Sequence, residues 1–412
     1  MSTKKTDADF QSAVVSKDAR RSNLSMFMIM MGFTFFSASM WVGQNLADGL
    51  NFYDFIWALL LGGAILGAYT GALGYVGAKS GLSLDLLAVR SFGKYGSYLP
   101  SAMISFTQTG WFGVGLAMFA IPIAKVAFGE SDIAIYSMVA IAGVCMTATA
   151  YFGIKSLSII SYIAVPCVAI LGTIAMIMAI VQGDKGLIEQ FEIGDKNLGI
   201  ITGAGLVIGS FVSGGTATPN FSRFSKSGLA GCIITIVAFF IGNSLMFFFG
   251  AISSVYVGGN DIFDVMVNLN LFYAAILVLG LNIWTTNDNA LYSTGLGLAN
   301  ITGLSKKIMV LISGLIGTVL AVWLYNNFCS YLNILNCTLP PVGIILVCDY
   351  FFNKKNYDLG DQAKTKAVNV SAVVGVVAGA VVANLLDWGV ASINGMAVAF
   401  ICYLIGHLFS KK

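Results

Sequence analysis

A run of polar residues interrupts one of the chain's long apolar stretches, where the sequence reads GLNIWTTNDNALY (280–292). Asn282, Thr285, Thr286 and Asn289 are spaced i, i+3, i+4 and i+7, so a helix aligns them in one stripe. Two adjacent hydroxyls and a backbone carbonyl one turn earlier are uncharged oxygen ligands. Such ligands suit a weakly held alkali cation, whereas Ca²⁺ normally takes several carboxylates. The stripe therefore predicts a sodium site.

The sodium site depends on a further condition. Carbonyls near Gly32 and Phe35 can complete the sodium ligands only if the first spanning helix is broken there. Other interpretations of the polar run also stay open. Threonine hydroxyls also bond back to carbonyls four residues earlier in many spanning helices, but this alternative leaves the asparagines unexplained. Asp288 projects away from the stripe. Its carboxyl can carry a proton or can simply be satisfied within the protein interior.

A second polar group lies in the segment FTQTGWFGVG (106–115). Gln108 and Trp111 are three residues apart and share a helix face. The glutamine amide offers a donor and an acceptor, which match the edge of an amide-like ring, and tryptophan offers a flat apolar face. With Phe36 or Phe211 opposite, this face predicts a slot for a small, neutral, planar solute. Trp111 alone is equally well explained as core packing.

Two segments combine glycine and hydroxyl residues, which are poor helix formers, in a way that predicts broken helices. They read MGFTFFSASM (31–40) and IGSFVSGGTATPN (208–220), and Pro219 closes the second. The segments stand five helices apart, as expected for an inverted repeat whose discontinuous helices line a site in the middle of the membrane. The alternative is that the small residues only allow close helix packing.

The rest of the chain consists mostly of apolar stretches able to position these groups within a bilayer. Of the residues, 57% are hydrophobic and 10% are charged, against about 25% charged in a typical soluble domain. A stretch of about 20 apolar residues crosses the hydrocarbon core. We predict twelve spanning helices, at 24–46, 54–77, 99–124, 133–153, 157–181, 199–217, 229–255, 271–296, 308–326, 329–351, 368–386 and 389–409.

The basic residues predict the orientation of these helices. Alternate connecting segments, beginning with the N-terminus, hold 19 of the 22 lysines and arginines, and the opposite set holds only Lys125, Lys185 and Lys196. By the positive-inside rule both termini are cytoplasmic. The first 23 residues lack the apolar core of a signal peptide. We therefore expect a multi-pass protein of a bacterial inner membrane, with the lipid bilayer and no nucleic acid among its partners.

Several classes of protein are disfavoured. The sequence has no phosphate-binding loop, no histidine and cysteine cluster with metal-ligand spacing, and a single histidine, His407, near the end of the last predicted span. An ATP-driven pump or an intramembrane enzyme is not expected. A channel is disfavoured by aromatic residues at mid-membrane, and a receptor would need a sizeable soluble domain. Carrier function fits best.

The sequence resembles the nucleobase–cation symporter family along nearly its whole length, in TFFSASMW (34–41), TQTGWFGVGLAMFAIP (107–122), GNSLMFFFG (242–250), LGLNIWTTNDNALY (279–292) and WLYNNF (323–328). The resemblance implies an all-α, leucine-transporter-like fold of twelve helices, with helices 1 and 6 discontinuous. Residues 1–23 would form a cytoplasmic tail, 24–181 and 199–351 two inverted repeats of five helices, and 368–409 two peripheral helices. It further implies a monomer that imports cytosine with sodium as the coupling ion.

The resemblance also implies which residues bind. The sodium ligands would be the backbone oxygens of Gly32 and Phe35 together with Asn282, Thr285 and Thr286. The substrate residues would be Gln108, Trp111, Ser210, Phe211, Ser213, Asn287 and Phe36, with the ring stacked between Trp111 and Phe211. Phe211 replaces a tryptophan of the wider family, and the order of glutamine and tryptophan differs from the hydantoin-carrying branch, which argues against hydantoin. The rival interpretation is a proton-coupled carrier of another nucleobase or a related heterocycle.

Overall fold

The computed structural model describes residues 9, 11–129, 131–182, 189, 191, 197–257, 262–327, 337–359, 363–386 and 388–410. In these residues the chain is helical, with turns and short connections and no strand. The helices are α1 (Asn23–Thr34), α2 (Ser37–Gly49), α3 (Phe52–Ser80), α4 (Leu84–Phe92), α5 (Tyr98–Phe128), α6 (Asp132–Tyr151), α7 (Ile154–Gln182), α8 (Ile200–Thr216), α9 (Pro219–Ser222), α10 (Gly228–Ile236), α11 (Asn243–Val257), α12 (Ile262–Asn268), α13 (Phe272–Thr302), α14 (Lys306–Asn326), α15 (Pro340–Phe352), α16 (Lys354–Asp358), α17 (Val370–Leu385) and α18 (Ala391–Ser410).

Many of these helices are long and apolar. Within the described ranges, seven helical segments have the length and composition to cross a membrane, or eight if α1 and α2 count as one bent span. Three shorter apolar helices, α8, α15 and α17, accompany them. Large apolar side chains such as Trp57, Ile133 and Trp323 are exposed on the outer surface, as expected where lipid replaces water. The chain is a multi-pass α-helical membrane protein.

The first spanning segment is bent where two residues leave the helical conformation. α1 ends at Thr34, α2 begins at Ser37, and the two axes differ by 53°. Phe36 is extended, with φ −138° and ψ 133°. Asn282 of α13 stabilises the restart, since its side-chain oxygen accepts hydrogen bonds from Ser37 N at 2.7 Å and Ser37 Oγ at 3.0 Å. A neighbouring helix thus satisfies backbone that the bend releases.

The sixth segment differs from the prediction in detail. α8 continues through the glycine pair Gly214 and Gly215 and ends at Thr216, and only Ala217 and Thr218 separate it from α9. Both glycines are tightly packed: a Cβ on Gly215 would approach Thr70 at 2.6 Å, and one on Gly214 would approach Phe211 at 2.8 Å. Close packing therefore keeps this low-propensity stretch helical, as the packing alternative proposed.

Helix α13 occupies the centre of the bundle, in contact with α5, α6, α7 and α14, and α1 and α2 lie beside it. Its residues 285–297 are all buried, so its polar run faces protein rather than lipid. A π-helical turn, Val237–Gly242, connects α10 to α11. At one end of the bundle, residues before α1 cross the helix termini, where Val15 N bonds to Gly81 O at 2.9 Å and Arg21 N to Phe224 O at 2.8 Å.

Candidate functional site

A cavity lies where α1, α2, α5, α8 and α13 meet. The space open to the centre of a water molecule is about 10 Å³, which is roughly one water and less than a heterocyclic ring needs. Its walls are mostly aromatic, with a few hydroxyls and one amide, and no charged side chain is among the described residues that line it. The lining residues are Phe33, Phe36, Gln108, Trp111, Ser210, Phe211, Ser213, Gly214 and Thr286.

The aromatic walls contact one another through Phe36. The Phe36 ring lies edge-on to Trp111, with centroids 5.5 Å apart, and edge-on to Phe211, with centroids 6.4 Å apart. Trp111 is fixed by its indole N–H, which donates to Ser213 Oγ at 3.0 Å. A ring stacked between Trp111 and Phe211 would therefore have to displace Phe36, the residue that directly precedes α2.

Gln108 is the polar group in the cavity that lacks a full set of partners. Its side chain is only 1% exposed, and its Nε2 has no hydrogen-bond partner among the described residues. An unsatisfied buried amide costs about 1–3 kcal/mol. The cost is recovered if a bound solute accepts a hydrogen bond from this nitrogen, so the cavity contains a donor suited to a carbonyl or ring nitrogen.

Ser210 connects the cavity to a polar chain that sequence reasoning missed. Its Oγ donates to Val207 O at 2.8 Å and lies 3.5 Å from Asn243 Nδ2. Asn243 in turn accepts a 2.6 Å bond from Ser39 Oγ of α2. The available signal was an amide inside the apolar motif GNSLMFFFG (242–250). The adjacent π-helical turn, a feature frequent near functional sites, would not have been found from periodicity.

Asn287 does not face this cavity, contrary to the expectation drawn from the resemblance. Its Nδ2 donates to Phe112 O at 3.2 Å and lies 3.3 Å from the Met146 sulfur. Asn287 is one residue, and therefore about 100°, away from Thr286 around α13. The structure instead adds Phe33 and Gly214 to the predicted lining residues.

The predicted sodium ligands converge beside the cavity. Thr286 Oγ1 lies 3.3 Å from the carbonyl oxygens of Phe33, Phe35 and Asn282 and 3.5 Å from that of Gly32. A hydroxyl has one hydrogen and can donate to only one of them at a time. Four carbonyl oxygens therefore converge on one hydroxyl, an arrangement that a monovalent cation would complete.

Thr285 lies at the edge of the same group. Its Oγ1 is 3.0 Å from Asn282 O and 3.1 Å from Leu281 O, which is the back-bonded geometry of the alternative interpretation. It nevertheless lies against α1, since a Cβ on Gly32 would come within 3.3 Å of Thr285 Cβ and 2.8 Å of Ser161 Oγ. Among the described residues, no cluster of three or more His, Cys, Asp and Glu side chains could hold a metal ion.

Asp288 lies outside both groups. Its Oδ1 accepts a 2.7 Å bond from Thr149 of α6, and Thr149 also accepts a 2.9 Å bond from the Trp284 indole. Its Oδ2 has no partner among the described residues. Asp288 is therefore a buried carboxyl held by one hydroxyl, on the side of α13 that faces away from the cavity.

Comparisons with known proteins place this arrangement in context. Residues 14–406 match a family model described as permease for cytosine/purines, uracil, thiamine, allantoin. The chain is 45% identical over 400 residues to the cytosine permease of Escherichia coli (strain K12), covering 97% of this chain and 94% of that protein. A hydantoin permease from Microbacterium maritypicum is 22% identical over 320 residues, covering 70% of this chain and 64% of that protein.

Solved structures give the fold. A nucleobase-cation-symport-1 family transporter, Mhp1, in a closed conformation with bromovinylhydantoin bound, superposes with a TM-score of 0.80 at 19% identity, covering 97% of this chain and 95% of that one. A Na⁺-coupled sialic acid symporter gives a TM-score of 0.73 at 14% identity, covering 99% and 93%. The family match spans nearly the whole chain, and its relatives are permeases rather than enzymes. The chain therefore belongs to the family of permeases for cytosine/purines, uracil, thiamine and allantoin.

Proposed function

We propose that this permease imports cytosine across the bacterial inner membrane by sodium-coupled symport with alternating access. One observation supports the coupling of substrate binding to ion binding. Thr286 lines the aromatic cavity and also reaches the carbonyl cluster at the end of α1. A solute in the cavity and an ion in the cluster would therefore contact the same side chain. The identity to cytosine permease supports the substrate, and the Na⁺-coupled structural relative supports the ion.

The proposed sodium ligands are the carbonyls of Gly32, Phe35 and Asn282 and the hydroxyls of Thr285 and Thr286. All five are uncharged oxygens, in keeping with a co-transported ion that must be released again. The side chain of Asn282 is already committed to Ser37, so only its carbonyl is assigned to the ion.

The proposed cytosine ligands are Gln108, Trp111, Ser210, Phe211, Ser213 and Phe36. The Gln108 amide would bond the polar edge of the ring, and Trp111 and Phe211 would cover its faces once Phe36 has moved aside. The described lining residues are all uncharged, which agrees with a neutral substrate, since a charged one would need a counter-charge in this buried site. Asn287 is left out of this set because its amide bonds to α5.

The proposed architecture has twelve spans, two inverted repeats of five, two peripheral helices and cytoplasmic termini, and it acts as a monomer. The bend between α1 and α2 supports a discontinuous first helix, and a break in the sixth helix is proposed at Ala217 and Thr218, which separate α8 from α9. Movement of one group of helices against the other would expose the cavity to either side in turn. Ion binding at the α1 terminus would fix the position of Phe36, and linkage requires that cytosine tighten sodium by the same factor.

Uptake of radiolabelled cytosine into proteoliposomes, with and without an imposed sodium gradient, tests the proposal. We expect accumulation only with the gradient, and loss of the sodium dependence in T285A/T286A. T302A is the matched control, because Thr302 lies on the same helix and bonds back to Leu298 O at 2.7 Å but is exposed. Equal sodium affinity with and without cytosine, or wild-type coupling in T285A/T286A, would refute the mechanism.

A second candidate, a proton-coupled carrier, is favoured by one observation, the buried and incompletely bonded Asp288. It predicts that D288N abolishes accumulation and that a pH gradient replaces the sodium gradient. The sodium mechanism predicts that D288N retains sodium-dependent uptake.

A further inference from the structure

A second, larger cavity lies at the end of the bundle where the N-terminal segment crosses the helices. Its volume is about 410 Å³, and α4, α15, α18 and the connection between α16 and α17 form its walls. It shares no residue with the aromatic cavity. The lining residues are Arg90, Asp349, Asn353, Asn356, Lys364, Thr365, Lys366, Asn369, Ser371, Tyr403, Gly406 and His407.

The walls of this cavity are held by backbone hydrogen bonds between two connecting segments. Lys94 N donates to Lys366 O at 2.8 Å, Tyr95 N to Ala367 O at 2.9 Å, and Asn369 N to Phe92 O at 2.6 Å. These bonds use main-chain atoms and leave the lysine side chains for other contacts. The cavity is therefore a built feature rather than a gap beside a loose loop.

The charges in the cavity are unbalanced. Among the described residues, two lysines, Lys364 and Lys366, line the cavity with one carboxylate, Asp349. That carboxylate is engaged by neutral donors, the hydroxyls of two tyrosines and the Asn353 amide at 2.7 Å. In the part of the chain that the structure describes, no ion pair joins Lys364 or Lys366 to a carboxylate. The cavity has an excess of positive charge that an anion would neutralise.

Contacts within the protein fix the guanidinium of Arg90 at the wall of the cavity, where it could bind an anion. Its Nη1 donates to Asn356 O at 2.9 Å, and its guanidinium lies 5.5 Å from the centroid of the Tyr357 ring. A fixed guanidinium flanked by lysines is a common arrangement for recognising phosphate oxygens.

The surroundings favour a lipid as the source of the phosphate. Phe351, Val370, Leu408 and Phe409, on the three spanning helices beside the cavity, are each more than half exposed, as expected of lipid-facing residues. The cavity thus adjoins the apolar belt, at the level where headgroups lie. Basic pockets between spanning helices on the cytoplasmic side are sites for anionic headgroups.

We propose that this cavity binds a phosphate-bearing anion, and that the anion is the headgroup of an anionic lipid. The binding would tie α15 and the last two helices, α17 and α18, to α4. The proposal is independent of the transported substrate and of the coupling ion.

Thermal unfolding of the full-length protein in detergent tests the proposal, with added phosphatidylglycerol, phosphatidylcholine or inorganic phosphate at constant ionic strength. We expect phosphatidylglycerol to raise Tm by several degrees over phosphatidylcholine. K364Q/K366Q should lose most of this shift and bind the lipid at least about tenfold more weakly, and K354Q/K355Q should keep it. Lys354 and Lys355 are an exposed basic pair on the neighbouring α16 that does not line the cavity.

The possible results distinguish a lipid headgroup from free phosphate as the source of the bound anion. An unchanged Tm of K364Q/K366Q in phosphatidylcholine shows that the variant folds normally. Stabilisation by inorganic phosphate alone would support the anion site and overturn the lipid as its source. If neither phosphate nor phosphatidylglycerol stabilises the protein, or if K354Q/K355Q loses as much as K364Q/K366Q, the site is refuted.

Discussion

Two buried polar regions of this protein satisfy their polar atoms in opposite ways. At the centre, the cavity and the carbonyl cluster contain uncharged groups, including a Gln108 nitrogen that has no partner among the described residues and more carbonyl acceptors than Thr286 can serve. At the N-terminal end, Asp9, Arg223, Tyr292 and Lys306 form a charged cluster, which we call the end cluster. It is densely bonded within the protein.

The contacts of the end cluster join distant parts of the chain. Lys306 Nζ forms a buried ion pair with Asp9 at 2.5 Å, and Asp9 Oδ1 accepts from Ile154 N at 3.1 Å. Arg223 Nη2 donates to Asp9 O at 2.7 Å and to Tyr292 OH at 3.0 Å. A region with its bonds complete fixes a conformation, whereas a region with incomplete bonds is suited to a ligand. This difference distinguishes residues that join segments of the bundle from residues suited to binding a ligand.

The largest expected effect is in the end cluster. K306M leaves the Asp9 carboxylate buried without its cation, and removing one partner of a buried pair costs about 3–5 kcal/mol. We expect a loss of that order in the free energy of unfolding, measured by chemical unfolding in micelles. K307M is the control, since Lys307 is exposed and lies over the Tyr151 ring. D9N/K306M should recover part of the loss, and a K306M protein as stable as K307M would contradict the comparison.

A smaller effect is expected at Asp85, a buried residue of α4 outside the spanning helices. Its Oδ1 accepts from Ser101 at 2.6 Å, and its Oδ2 has no partner among the described residues. Burial raises the pKa of Asp85 from 3.8 to about 6, although the Ser101 bond and the charge of Arg223 oppose the rise. Because the folded state holds this proton more tightly, the free energy of unfolding should fall as the pH rises from about 4 to 6 and stay flat above.

D85N should remove that slope and stabilise the protein at pH 7 by about 3 kcal/mol, the equivalent of about two pKa units. Unfolding curves at pH 4.5 and pH 7 measure the slope in both proteins. If the stability of the wild-type protein instead rises from pH 4.5 to pH 7, and D85N shows the same slope, Asp85 is not the group that sets the pH dependence.

At the central site, removing a buried polar side chain should not destabilise the protein, in contrast to K306M. Q108L removes an unpartnered buried amide nitrogen, so we expect stability to be unchanged or to increase by about 1 kcal/mol. Cytosine binding should weaken by about tenfold to a hundredfold, because a hydrogen bond to the ring is lost. Tm and equilibrium binding of cytosine measure the two effects. Q182L, at the exposed end of α7, should change neither, and a Q108L variant that unfolds without losing affinity would make Gln108 structural.

How far the sequence predicts these regions depends on the regularity of the helices. The stripe of Asn282, Thr285 and Thr286 was predictable because α13 is an unbroken helix, so spacing converts directly into direction. The bend after Thr34 was predictable from composition, but its stabilisation by the Asn282 side chain depends on a helix nearly 250 residues later. The contacts of Asn287 with α5 were not predictable, because a resemblance between motifs does not give the rotation of a helix.

Other features depend on tertiary contacts that sequence patterns do not contain. The π-helical turn before Asn243 shifts the helical phase, so periodicity could not place that amide against Ser210. Gly214 and Gly215 were predicted to break α8, but packing against Phe211 and Thr70 outweighed their low helix propensity. The end cluster was missed altogether because Asp9 precedes every predicted span, and its partners come from three other segments.

The smallest predicted effect tests whether the bend between α1 and α2 belongs to the binding region or to the structural framework. N282A removes two bonds to Ser37 while keeping the carbonyl assigned to the ion, and S37A removes only the hydroxyl bond. Loss of a helix cap costs about 1 kcal/mol, so N282A should destabilise the protein by that amount and S37A by less. If the bend positions Phe36 and the carbonyl cluster together, N282A should also weaken sodium and cytosine binding and reduce the factor by which each ligand tightens the other, a factor that linkage makes equal in both directions. Isothermal titration of each ligand with and without the other measures that factor, and a loss of stability with both affinities unchanged would assign the bend to the framework alone.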